Sequence, residues 1–121
     1  MKIITIIDKK IETKDVDSIE LEFLQKIVGG YIEIPSISRK FNENRINVVM
    51  NEDGKFKNLY TSILLLSNGR IIDYIKGNVI FCSHDDDGET IGLTDEQIKI
   101  VKSELNNPLI HDGEIIYTID L

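Results

Sequence analysis

The chain has 121 residues, 41% of them hydrophobic, with no Trp, a single Cys and a formal net charge of −7. That length suits one domain with one core. No run approaches the roughly 20 apolar residues that span a bilayer, and the acidic balance argues against binding duplex nucleic acid through counterion displacement.

The charge is unevenly placed. Residues 1–60 carry ten acidic and ten basic side chains; residues 61–121 carry eleven acidic and four basic ones. The surplus therefore lies entirely in the second half. An acidic half is suited to a basic partner. With so few aromatics, the core must be built from Ile, Leu and Val, which favour strands. The opening MKIITIIDKK has no small-residue cleavage site, so no signal peptide is expected. Cys82 lies in the apolar run NVIFCS and is expected to be a buried thiol in a reducing, cytoplasmic setting.

In chain order, KIITII (2–7) reads as a buried strand, and a second short strand is expected near 10–14. Leu21, Leu24, Ile27 and Val28 recur at helical spacing. Asp17 and Glu20 have the spacing of a capping box, which predicts a helix over 18–28. Gly29 and Gly30 follow that helix instead of opening one. A helix C-terminus is the partially negative end, so this glycine pair is a helix stop and not a phosphate cradle.

Residues 31–37 alternate, with Ile32, Ile34 and Ser36 on one side. Pro35 cannot donate to a ladder, which puts this strand at an edge or bulge. SRKFNENR reads as a loop, INVVMN (46–51) as a strand, and Asn51-Glu52-Asp53-Gly54 as a turn. FKNLYTSILLL fits either a strand or a short helix. Ser67-Asn68-Gly69 marks a hairpin. Arg70 to Ser83 holds one or two strands, with Gly77 as a break, and His84 to Glu89 forms an acidic loop. Thr94 and Gln97 form a capping box for a second helix with Ile98, Val101 and Leu105 on its inner face. Asn106-Asn107-Pro108 stops that helix, and GEIIYTIDL ends as a strand. The expected fold is a single α+β domain over 1–121, a mostly antiparallel sheet packed by two α-helices.

Two clusters can carry recognition. Ser38, Arg39, Lys40 and Arg45 place a hydroxyl and three cations close in sequence, a set that suits a phosphate or carboxylate. Tyr31 could add a stacking surface. In HDDDGE, Asp85, Asp86, Asp87 and Glu89 form an acidic knob for a basic partner. As an EF-hand loop it fails: with Gly88 at the loop glycine, Ser83 and Thr94 fall where charged anchors belong. Two histidines and one cysteine do not make a zinc site, so no metal or other cofactor is expected. No nucleophile–base pattern is present, and the reading is of a protein that is not an enzyme.

Taken together, LQKIVGGYIEI, INVVMNEDGKFKNL, IKGNVIF and LTDEQI resemble a family of small proteins labelled only as a domain of unknown function. That family is frequent in phages and mobile elements of Gram-positive bacteria. The resemblance spans roughly residues 2–106. Family members often carry an Asn-Arg pair soon after the turn, where this chain has YTSILLL. The strand after Pro108 reads as an addition. The resemblance implies a mobile-element setting, in which small non-enzymatic proteins often counter host defence. The leading expectation is a binding protein that sequesters a small anionic, nucleotide-derived ligand. The alternative is an acidic inhibitor that occupies a basic nucleic-acid-binding cleft of a host protein.

Overall fold

The computed structural model describes residues 1–105 and 107–121. In chain order its elements are β1 (Lys2–Ile7), β2 (Lys10–Asp15), α1 (Leu21–Val28), β3 (Ile32–Glu33), α2 (Arg39–Glu43), β4 (Ile46–Asn51), a 3-10 turn (Gly54–Phe56), β5 (Thr61–Ser67), β6 (Arg70–Lys76), β7 (Val79–His84), β8 (Thr90–Ile91), α3 (Asp95–Glu104), β9 (Leu109–His111) and β10 (Glu114–Asp120). The fold is α+β and mostly antiparallel, as the composition requires. It contains three α-helices among the described residues, not two, and two sheets instead of one.

The first sheet has the order β2-β1-β7-β4-β3, with β8 pairing β7. The second has the order β6-β5-β10-β9. All pairings are antiparallel except β5 with β10, where Tyr117 lies beside Ile63 and Ile119 beside Leu65. The strand β7 is central and carries apolar residues on both faces. Ile80 and Cys82 face α1, packing with Ile3, Val49, Leu24 and Val28. Val79 and Phe81 face the other way, toward Ile63, Leu65, Tyr117 and Ile119 of the second sheet. Phe41 of α2, Ile98 and Val101 of α3 and its C-cap Leu105 close that second core. Phe41 meets Phe81 edge-on, with ring centroids 6.0 Å apart at 72°, a favoured aromatic geometry.

Local chemistry explains most boundaries. The helix α1 starts three residues later than its periodicity suggested. Asp17 does not cap it; Glu20 is the N-cap residue and gives no side-chain cap. The C-terminus behaves as expected: Gly29 is left-handed at φ 79°, and the N–H groups of Gly29 and Gly30 both donate to the Gln25 carbonyl. For α3, Thr94 and Gln97 form both bonds of the capping box. That helix ends at Glu104 with Leu105 as its C-cap; Asn106, the first residue of the expected stop, lies outside the described residues. Gly77 separates β6 from β7 with φ 87°. The ambiguous stretch before Ser67 is a strand, β5, preceded by the 3-10 turn.

Among the described residues, one buried side-chain group lacks a partner. Thr5 sits in the middle of β1, between β2 and β7. Its side chain is fully buried and its hydroxyl has no hydrogen bond. An unsatisfied buried hydroxyl costs about 1–3 kcal/mol. Thr5→Val keeps the shape and removes that cost, so it should stabilise the fold by about 1 kcal/mol. Calorimetry should show a Tm increase of about 3–5 °C; an unchanged or lower Tm would mean that the hydroxyl is satisfied.

Candidate functional site

The stretch read as a basic loop folds in part as α2, and Ser38 explains why. Ser38 is extended (φ −140°), and its Oγ accepts the Phe41 N–H at 3.1 Å. It is therefore the N-cap of a one-turn helix that delivers Phe41 into the core. Ser38 is itself buried, so its hydroxyl is committed to the fold. Arg39 Nε bonds Glu43 Oε1 at 2.7 Å, one helical turn on. Lys40 is exposed and lines a groove between α2 and α3 with Glu96, Lys99, Ser103 and Glu104.

Arg45 follows α2 in a left-handed conformation, φ 54°, which costs a side-chain-bearing residue free energy. Its surroundings hold it there. Its carbonyl accepts the Ser83 hydroxyl at 2.7 Å. Gln97 Nε2 donates to Ser83 Oγ at 2.9 Å and to the Asn44 carbonyl at 2.8 Å. The guanidinium thereby reaches Asp86 at 2.6 Å. The basic and acidic clusters, far apart in sequence, thus meet at one end of the first sheet. Tyr31 does not join them. Its carbonyl accepts the Glu52 N–H, at the far end of β4 from Arg45. The six residues of β4 separate the two ends, about 20 Å. Tyr31 is exposed and borders Gln25, Gly30, Asp53 and Lys57 instead.

The acidic loop is internally braced. Asp85 Oδ1 accepts the N–H groups of Asp87 and Glu89, each at 2.9 Å. The Asp85 N–H donates to the Glu89 carbonyl, and the Gly88 N–H to the Asp85 carbonyl. With Asp86 paired to Arg45, Asp87 and Glu89 remain exposed and unpaired among the described residues. The first turn of α3 adds Asp95 and Glu96, and Asp95 bonds Lys2 at 3.4 Å. No group of three or more His, Cys, Asp or Glu among the described residues is placed to hold a metal ion. His84 Nδ1 lies 3.0 Å from Asn47 Oδ1, while His111 is exposed on β9.

A second concavity escaped the sequence reading. A cleft of about 350 Å³ opens between β3–β4 and β5–β6, floored by Ile37, Met50, Leu65 and Ile75. Across its mouth the 3-10 turn brings Lys55 onto Asp73 of β6. Asp73 also accepts the Tyr74 N–H at 2.8 Å, and the Lys55 ammonium lies 5.0 Å from the Tyr74 ring centre. The hydrogen bond to Asp73 raises the Lys55 pKa, and the same bond lowers that of Asp73. Both groups therefore stay charged near neutral pH. Gly54 is required here: a Cβ would stand 2.9 Å from the Lys76 carbonyl oxygen. The only sequence signal was the NEDG turn, which does not reveal what the turn packs against.

With this geometry in hand, the chain can be compared with known proteins. A family model described as Domain of unknown function (DUF3846) matches residues 1–106. The chain belongs to this family. No curated protein and no solved structure matches it. The DUF3846 match ends just before β9, so β9 and β10 of the second sheet lie beyond it. Among the described residues, no helix is long and apolar enough to cross a membrane.

Two outcomes are expected. Ser38→Ala removes the α2 cap and should cost about 1 kcal/mol, while Arg39→Ala, which breaks only an exposed pair, should cost less than about 0.5 kcal/mol. Chemical denaturation of the two variants checks this ranking, and equal costs would contradict the capping role. The second concerns Cys82, whose thiol is pushed by burial up to about 12. It should resist a thiol reagent at neutral pH in the folded protein and react once unfolded. Because the folded pKa is raised, the associated stability is complete below the unfolded value of about 8.5. It is lost progressively as pH climbs from there toward about 12.

Proposed function

We propose that the protein is a non-catalytic binding protein of counter-defence type, carried by a phage or mobile element, whose acidic end occupies a basic, nucleic-acid-binding surface of a host protein. The observation that carries this reading is the asymmetry of charge pairing at that end. Arg39 and Arg45 are paired with Glu43 and Asp86, whereas Asp87 and Glu89 of the loop have no cation within ion-pair distance among the described residues; Lys40 and Lys99, also without an ion pair there, share their groove with Glu96 and Glu104. The loop bearing Asp87 and Glu89 is braced by its own backbone bonds, so little ordering entropy is lost when a partner docks. Recognition is also favoured over catalysis by the state of the reactive groups. Cys82 is buried with a raised pKa, and Lys55 and Asp73 hold each other charged, so none suits proton transfer or nucleophilic attack near neutral pH.

A second reading, sequestration of a small nucleotide-derived anion, rests on a different observation. Lys40 and Lys99 border the α2–α3 groove with the Ser103 hydroxyl, although Glu96 and Glu104 share that groove and weaken its pull on an anion.

The test is capture of basic proteins from host lysate on the immobilised full chain. Binding should fall at least tenfold between low and physiological-plus salt, because exposed charges are screened beyond about 10 Å at 0.1 M. Asp87→Asn combined with Glu89→Gln should abolish it without changing Tm. Binding indifferent to both salt and substitution would sink the acidic-end reading. A nucleotide that raises Tm by several degrees, in a manner lost in Lys40→Ala/Lys99→Ala, would put the second reading in its place.

A further inference from the structure

The first sheet ends at β3 and the second at β6, and no strand pairing joins those two edges among the described residues. β3 is only two residues long; Pro35, two residues beyond it, has no N–H with which to extend the ladder. The apolar layer between the sheets therefore reaches the surface here, as the cleft of about 350 Å³ whose floor includes Met50, Leu65 and Ile75. A cavity of that size, with an apolar floor and a few polar groups at its rim, has the form of a small-molecule site.

The 3-10 turn stands across the mouth. Phe56 of this turn borders the cleft and is 90% exposed, so a large apolar ring lies uncovered beside an apolar floor. Lys55 of the same turn shows what the rim recognises. Its ammonium bonds Asp73 Oδ1 and lies 5.0 Å from the Tyr74 ring centre. The Asp73 bond is the main cause of its raised pKa, and the charge of Glu33 on β3 adds to it. Carboxylate, aromatic face and apolar bed are the parts of a site for an alkylammonium. Capacity is left over. Asp73 accepts both Lys55 and the Tyr74 N–H on Oδ1, and Oδ2 takes no bond from the described residues. Glu33 and Glu52 line the same cleft outside any ion pair among the described residues, against one such cation, Lys76.

We infer that this cleft binds an organic cation, a primary ammonium carried on an apolar or aromatic body, and that Lys55 is a tethered competitor for its ammonium subsite. The body rests on Met50, Leu65 and Ile75 and covers Phe56. The ammonium takes the place of the Lys55 ammonium beside Asp73 and Tyr74. Lys55 is half-exposed on a turn, so its side chain moves into solvent without disturbing the core. A net charge of −7 draws cations and repels anions. An anion would meet Glu33 and Glu52 with Lys55 already committed to Asp73. The cleft lies at the Asn51 end of β4, whereas Ile46 at the other end pairs with Ser83 beside the acidic loop. The inference therefore does not depend on the proposed function.

Amide NMR titrations of the full chain with 2-phenylethylamine, 2-phenylethanol and phenylacetate test it, since the three share a phenyl body and differ in charge. Probes this small bind with affinities of about 1 mM, so each is taken to about 20 mM. The amine should shift the amides of Glu33, Met50, Lys55, Tyr74 and Ile75, and should bind at least about fivefold more tightly than the alcohol or the acid. Asp73→Asn, which keeps an acceptor for the Tyr74 N–H, should weaken the amine at least about fivefold. Lys55→Ala removes a competitor whose tether gives it an effective concentration on the order of millimolar, and should tighten the amine about threefold or more. Both positions are half-exposed, and circular dichroism should confirm that both variants are folded. Amine binding that is absent or lies outside the cleft overturns the inference. So does an alcohol or acid that binds as well as the amine, an Asp73→Asn variant that binds it undiminished, or a Lys55→Ala variant that binds it no more tightly.

Discussion

The strand Val79–His84 must be covered on both of its faces, and the rest of the molecule follows from that requirement. Ile80 and Cys82 on one side and Val79 and Phe81 on the other are withdrawn from water. An antiparallel sheet with one wet face would leave two of these in solvent. One layer, α1, suffices for the first face. The opposite face is wider, because β1 and β4 add Ile4, Ile6, Ile46 and Val48 to it. Covering it takes the second sheet together with α2 and α3. Residues free to meet a partner therefore lie at strand ends, in loops, on the outer side of the second sheet and on the solvent sides of the helices.

At one strand end, a few polar bonds decide how the exposed charges are arranged. Gln97 completes the α3 capping box, bonds the Asn44 carbonyl and bonds the Ser83 hydroxyl, which in turn bonds the Arg45 carbonyl. A single amide thus links α3, β7 and the turn after α2. The left-handed backbone of Arg45 is tolerated because this network over-determines it. Its guanidinium lies beside Asp86, in an exposed ion pair. The same network that makes the fold specific thereby gives this end its acidic character.

Local patterns were legible in the sequence wherever a residue's role depends on its near neighbours. The Gly29 stop, the Thr94–Gln97 box, the Asn68-Gly69 hairpin and the buried state of Cys82 all follow from spacing and side-chain chemistry. The failures have a common cause. Asp17 and Glu20 have cap spacing, yet the helix begins only at Leu21, and the first of its residues buried against the sheet is Leu24. SRKFNENR looks polar throughout, but one residue, Phe41, anchors a helix because Phe81 waits across the core. The parallel pairing of β5 with β10 joins residues more than 50 positions apart, and no local signal encodes it. The same holds for the Arg45–Asp86 contact and for the inter-sheet cleft, whose walls come from four separate strands. Tyr31 and Ser38 lie near the cations in sequence, but β4 sends Tyr31 to the other end of the sheet and the cap takes the Ser38 hydroxyl.

The boundary of the family match bears on how this chain is completed. Residues 1–106 match the family, yet β10 lies beyond them and sits between β5 and β9, placing Tyr117 and Ile119 in the core. Without β10, the inner edge of β5 at Ile63 and Leu65 would present unpaired backbone and apolar side chains to water, a combination that invites strand addition from another chain. An added strand that pairs in parallel satisfies that edge, but it also widens the second sheet and so enlarges its outer face by Ile116 and its β9 neighbour Leu109. Satisfying one exposed edge has therefore produced a broader exposed face, and the surface with which this chain meets its surroundings is shaped in part by residues that its family match does not include.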